Sequence, residues 1–298
     1  MGRSYFLDKD GIIDKNGDIY FTISNVNGPG FVYAYRKYVF TGNGLWKGYE
    51  RVLRNYGVHN LVKSQQKFMF DPCQNVDFPT IMTSDIRKHL LPEQAFRHLL
   101  TNERKSFLTD YLLGLLEPVT NSRLGVTGSL LLGIEHKNSD IDILVYGCKR
   151  AEDFLTEFRG GEPDKDWLRE TSINYSLEED LVKDLYDSRI RGIFKGIKYS
   201  VHFVDETPRR YCMDVCTQKG DIRLQGEIEG ECQALFYPAR AKFNSHEEYE
   251  LISWEGIFSS SMYGRRKAEV RGIELACSGK RVIIIGDRNV QGYIKVLH

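Results

Sequence analysis

No run of about 18 apolar residues occurs in the chain, so no segment reads as a membrane-spanning helix. The opening residues, MGRSYFLDKDG, lack the apolar stretch of a secretory signal. Phe6 stands where a myristoylation site needs Ser or Thr. The seven histidines form no HExxH, and the glycine-bearing stretch 41–48 has neither GxGxxG spacing nor GK[ST]. Zinc-protease, dinucleotide and Walker sites are therefore not supported. An excess of either charge is missing as well. The 41 basic and 41 acidic side chains cancel, which argues against a histone-like protein or a polyanionic tail. The six cysteines are scattered through a chain too long to need staples, and with no secretory signal they read as reduced packing residues. Cys212 and Cys216 have no second close pair, so a zinc framework is not indicated. These absences lead to the expectation of a soluble, cytoplasmic protein.

What is present is enough apolar material for real cores, 41% of 298 residues. The texture predicts an α+β chain in three consecutive parts. Residues 1–91 read as strands and turns, with Asn16-Gly17 as a hairpin turn between short strands. Asp14, Asn16 and Asp18 superficially suggest a calcium loop, but Ile19 stands where that loop needs Gly. Arg36, Lys37, Lys47, Arg51 and Arg54 lie among tyrosines and a tryptophan. That mixture suits nucleic acid, although snorkelling on a half-buried sheet is the preferred reading. Residues 92–210 alternate helix and strand. Apolar residues from Ala95 to Leu116 recur at helical spacing, Ser176 with Glu179 reads as a capping box, and 198–204 alternates as a strand. Residues 211–298 are again β-rich, a small barrel or a packed sheet.

The chemistry is concentrated in Gly125-Val126-Thr127-Gly128-Ser129-Leu130-Leu131-Leu132-Gly133 and, after a short loop, Ser139-Asp140-Ile141-Asp142-Ile143-Leu144-Val145. Asp140 and Asp142 are one residue apart in a strand-like run, so both carboxylates leave the same face while Ile141 and Ile143 enter the core. Two such carboxylates repel unless a cation lies between them, and Mg²⁺ characteristically takes one or two carboxylates plus phosphate oxygens. Gly128-Ser129 opens a short helix whose amides, with the Ser129 hydroxyl, suit a phosphate. A DxD alone is more often a solvated face; the combination has few structural excuses.

This stretch resembles the signature of the DNA polymerase β-like nucleotidyltransferase superfamily, and the wider chain is similar to an archaeal group of predicted nucleotidyltransferases. The resemblance implies a mixed-sheet nucleotidyltransferase core in 92–210, flanked by the β-rich parts. It implies that Gly128 and Ser129 hold the triphosphate of an NTP such as ATP, and that Asp140 and Asp142 bind two Mg²⁺ ions. A third carboxylate belongs on a neighbouring strand. Here 198–205 is the matching strand, its polar positions are Ser200 and His202, and Asp205 is the first candidate, with Asp214 the second. His202 is open to a base's role or a structural one.

Arg189, Arg191, Lys195 and Lys198 are candidates to neutralise the departing pyrophosphate, or else to pair with Asp180, Asp184 and Asp187. Lys137, with Asn138 in the loop before Ser139, is a further nucleotide-binding candidate. The net charge hides strong segments. Residues 148–187 carry six basic and twelve acidic side chains, 188–210 six and two, and 262–298 eight and three. A basic tail that includes Arg265, Arg266, Lys267, Arg271, Arg281 and Arg288 would suit a nucleic-acid acceptor. The alternative is a protein on the same fold that binds a nucleotide or nucleic acid and transfers nothing.

Overall fold

Asn16-Gly17 makes the expected hairpin. Gly17 takes a positive φ of 90°, and Asp14 Oδ1 accepts the amides of Asn16 and Asp18 at 2.9 and 2.8 Å. The Asp14 carboxylate thus closes a turn, as an Asx motif does. The turn joins strands Gly11–Asp14 and Ile19–Asn27. Phe31–Gly44 adds to the second of these and Ile86–Leu90 to the first, all antiparallel. Gly48–Arg51 folds back on Phe31–Gly44 as a ribbon. Ile12, Val32, Ala34 and Ile81 form the core of this sheet.

The computed structural model describes residues 3–53, 57–61, 66–73, 75–101, 103–119, 123–212, 215–287 and 289–298. Arg54, Asp214 and Arg288, named above, lie outside them.

The chain gathers into two units, each assembled from separated stretches, where three consecutive parts were expected. Unit 1 comprises residues 1–52, 81–165 and 187–209; unit 2 comprises 53–80, 166–186 and 210–298. Strand pairing between distant segments, which local texture does not encode, is what redraws the boundaries.

A second sheet in unit 1 runs Arg191–Phe194, Ile197–Val204, Ile141–Tyr146, Leu124–Val126. Its central pair is parallel and its outer pairs are antiparallel. Helices Pro92–Leu100, Thr109–Leu116 and Cys148–Glu157 accompany it. The apolar spacing from Ala95 to Leu116 read as one helix, but the fold breaks it. Residues 101–106 are all polar or charged, and the Ser106 hydroxyl takes the Leu108 amide at 3.2 Å. Leu7 packs with Leu144, Tyr146 and Val204, so the N-terminal segment is part of this sheet's core. Buried beside it, Asp10 is paired with Arg3 and His89, and Glu93 with Arg3 and Tyr146.

In unit 2, the long strands Cys216–Gly230 and Gly264–Cys277 pair antiparallel along their length. Strands Ala239–Asn244, Glu248–Ser253 and Lys280–Ile285 complete a ring of pairings that closes on itself, a small barrel with Tyr293–Val296 added to Gly264–Cys277. Ile228, Phe243, Leu251, Val270, Ile283 and Ile285 fill it. Two expectations fail here. Ser176 is the left-handed residue that ends helix Trp167–Tyr175, not a cap for the turn Glu179–Val182. Nor are the cysteines reduced: Cys73 pairs with Cys212, and Cys216 with Cys277 across a cross-strand position. Among the described residues, no helix is long and apolar enough to cross a membrane.

Candidate active site

Val126 and Ile143 are partners in the sheet, and the Thr127 amide donates to the Asp142 carbonyl at 3.0 Å. The chain then turns sharply at Gly128 into the short helix Gly128–Leu132. Gly128 has φ +63°, and a Cβ there would stand 2.2 Å from Asp142 Oδ2. A side chain at this position would therefore fill the place where the carboxylate and the turn meet. Behind the turn, the Arg104 guanidinium donates to the Leu131 carbonyl and Glu135, both at 3.2 Å, and fixes the end of the short helix. Ser129 is buried, yet its Oγ finds no hydrogen-bond partner among the described residues. A buried hydroxyl without a partner costs roughly 1–3 kcal/mol, which a phosphate oxygen would recover.

Asp140 stands just before strand Ile141–Tyr146 and Asp142 within it; Asp140 is exposed and Asp142 half-buried. Ser200 is Asp142's register partner on the parallel strand and donates to Asp142 Oδ1 at 2.5 Å. His202 Nε2 lies 3.2 Å from Ser200 Oγ and 3.8 Å from Asp142 Oδ1. Burial works against ionising Asp142. The nearby His202, the Lys37 charge and the Ser200 hydrogen bond outweigh it and hold the carboxyl well below the ordinary range. Asp140 moves the opposite way. The Asp142 charge, and after it desolvation, raises Asp140 to about 6, against the pull of Lys37 and Arg51. For His202, burial favours the neutral ring over the attraction of Asp142 and sets its pKa below the ordinary value.

The two acids are pushed in opposite directions, and the repulsion that raises Asp140 is one that a cation between them would relieve. All-oxygen donors at this spacing fit Mg²⁺, and the orphaned Ser129 hydroxyl beside them fits a phosphate oxygen.

Asp205 is not brought to this pair. It lies five residues past Ser200, about 16 Å along an extended strand, and its carboxylate is engaged by Asn25, the Thr207 amide and Arg209. The register position beside Asp142 carries a serine. Arg189 chelates Asp187 through its Nε and Nη2 groups, Lys198 pairs with Asp164, and Lys195 lies over the Phe194 ring. Lys137 is exposed in a tight turn that the Ser139 amide closes on the His136 carbonyl at 2.8 Å.

The charges that do act on the carboxylates come from the N-terminal sheet. Lys37 bears on both and Arg51 on Asp140, while Lys9 and, from strand Arg191–Phe194, Arg191 bear on His202. The Lys9 carbonyl also accepts the Thr127 hydroxyl at 3.0 Å, next to the turn. Sequence reasoning passed over Lys9 altogether. It sits 118 residues from Thr127, and no local pattern marks it.

Comparison with known proteins finds similarity over this stretch. Residues 110–200 match the family model for the nucleotidyltransferase domain, a span that takes in the Gly-Ser turn, both carboxylates and Ser200. The chain is 25% identical over 170 residues to the uncharacterized protein MJ1086 of Methanocaldococcus jannaschii, which covers 50% of this chain and 49% of that one. It thus spans about half the length of the curated relative it matches. No solved structure matches the chain.

Proposed function

We propose that the protein moves a nucleoside monophosphate from an NTP, such as ATP, to an acceptor hydroxyl in a Mg²⁺-dependent reaction on a polymerase β-like core, acting in the cytoplasm. Paired cysteines are rare in that compartment outside hyperthermophiles. The observation that carries the catalytic reading is the close fit of Gly128 against Asp142, which brings the Gly-Ser turn and the Asp142 carboxylate together.

In this reading, Ser129 and the backbone at Gly128 hold the triphosphate, and Lys37 supplies positive charge beside it. Asp140 and Asp142 would hold two Mg²⁺ ions, which when bound neutralise the phosphates and activate the attacking hydroxyl. The acceptor oxygen forms a bond to the α-phosphorus as the bond to the bridging oxygen breaks; the hydroxyl proton passes to the Asp140 carboxylate or to solvent, and pyrophosphate leaves in line. Ser200 and His202 fix the Asp142 carboxylate, so that it points into the site rather than back along the strand.

The test is transfer from α-labelled ATP with Mg²⁺ to a panel of RNA and small hydroxyl acceptors. Label transferred by the wild-type chain and lost in Asp140→Ala/Asp142→Ala supports the reading; label that survives the double substitution overturns it. A second reading is favoured by one specific observation. Ser200 and His202 occupy the flank where a third carboxylate would stand, which suits a protein that binds NTP and transfers nothing. Calorimetry showing Mg²⁺-dependent ATP binding, with no pyrophosphate released in the presence of any acceptor, selects that alternative.

A further inference from the structure

The ribbon formed by Phe31–Gly44 and Gly48–Arg51 belongs to unit 1 and stands against the loop that leads into Asp140. Two contacts fix it there. Lys47 Nζ donates to the Gly133 carbonyl at 2.5 Å, and the Trp46 ring meets the His136 ring edge-on at 5.3 Å. On the ribbon, Tyr38 and the Arg51 guanidinium both pack on Trp46, at 5.5 and 5.7 Å. Phe40 and Leu45 project outward, 59% and 64% exposed, and Tyr49 supports the Phe40 ring at 5.1 Å. Exposing rings of this size costs free energy unless something covers them. Cations interleaved with open aromatic faces are what unpaired bases and their phosphates require, since every base has a face to stack and every linkage a charge.

The basic tail is built differently. Arg265 pairs with Glu227 and Glu229, Arg271 with Asp221, and Arg281 with Glu247 and Glu274. Those three arginines are paired across or beside the barrel strands; on the ribbon, Lys37 bears on both Asp140 and Asp142, and Arg51 on Asp140.

We infer that this ribbon is the acceptor wall of the site and that it takes the end of a single-stranded nucleic acid. Phe40 stacks a base, Arg51 and Lys47 meet the backbone phosphates, and the terminal hydroxyl is led past the 133–139 loop to Asp140. The assignment of the acceptor rests on the transfer reading; the binding surface itself does not.

Anisotropy of fluorescein-labelled oligo(A), oligo(U) and oligo(dT) with the full chain tests it. Wild-type protein binds, and Phe40→Leu, which keeps the apolar bulk and loses the ring, weakens binding roughly ten-fold, while Phe40→Trp retains it. Arg51→Glu weakens it and lowers the slope of log affinity against log salt by about one. Asp142→Asn leaves oligonucleotide binding in place while abolishing transfer. Three results overturn the inference: no oligonucleotide binding by the wild-type chain, equal binding by Phe40→Leu and Phe40→Trp, or a wild-type dimer in sedimentation that Phe40→Ser dissolves. Transfer to a small hydroxyl compound without oligonucleotide binding would sink this inference alone. Oligonucleotide binding without any transfer would sink the catalytic reading alone.

Discussion

At Gly128 one methyl group decides whether the turn and the carboxylate can coexist. A Cβ there meets Asp142 Oδ2 at 2.2 Å, and the backbone holds φ +63°, a region that costs an L residue roughly 1–2 kcal/mol. Gly128→Ala is expected to keep its far-ultraviolet circular dichroism and lose Mg²⁺-ATP affinity at least ten-fold by calorimetry. Asp8 is a different kind of residue, a stability liability rather than part of the site. It is 2% exposed, its nearest charge partner is Lys9 at 3.5 Å, and burial pushes its carboxyl up to about 6. The folded chain therefore binds a proton that the unfolded chain has already released between about pH 4 and 6, so stability falls as pH rises through that window. Asp8→Asn should flatten the fall and raise stability at pH 7 by on the order of 2 kcal/mol. Urea unfolding at acid and neutral pH measures both, and an unchanged slope would show that Asp8 is not the source.

At the scale of elements, the strands Cys216–Gly230 and Gly264–Cys277 are tied at one end by Cys216–Cys277, which encloses a separation of 61 residues. Loop-closure entropy assigns such a crosslink about 4 kcal/mol. Cys216→Ser/Cys277→Ser should lower the denaturation midpoint of unit 2 accordingly, and a midpoint that does not move would show the barrel pairings to be sufficient without the crosslink. The elements also show what local pattern conveys. The Asn16-Gly17 turn, the alternation of Asp140 and Asp142 around Ile141, and the Gly128-Ser129 turn were legible, because each depends on residues within a few positions of one another. Ser176 misled because serine serves both a helix start and a left-handed helix end, and only the preceding helix distinguishes them. The break after Leu100 was hidden by apolar spacing that persists on either side of a polar run. Asp205 was placed as a candidate by proximity in sequence, whereas strand register hands the position beside Asp142 to Ser200. Lys9, Lys37 and the cysteine pairings were out of reach because they depend on which distant strands lie side by side.

For the molecule as a whole, the match to the nucleotidyltransferase family model covers residues 110–200, yet the unit that holds most of them, 110–165 and 187–200, begins at the N-terminus and ends at residue 209, while 166–186 belong to the other unit. Leu7 is buried among Leu144, Tyr146 and Val204, and the Asn25 amide nitrogen donates to Asp205 at 3.0 Å across 180 residues of chain. A protein grows from its N-terminus at about 5–20 residues per second. The strands that carry Lys37 and Arg51 therefore emerge roughly 10–40 s before their last partners are synthesised. Through that interval Leu7, which Leu144, Tyr146 and Val204 later bury, is open to any neighbour, the state in which nascent chains associate wrongly. Assembling a unit from stretches so far apart in sequence thus makes the order of synthesis part of the folding problem.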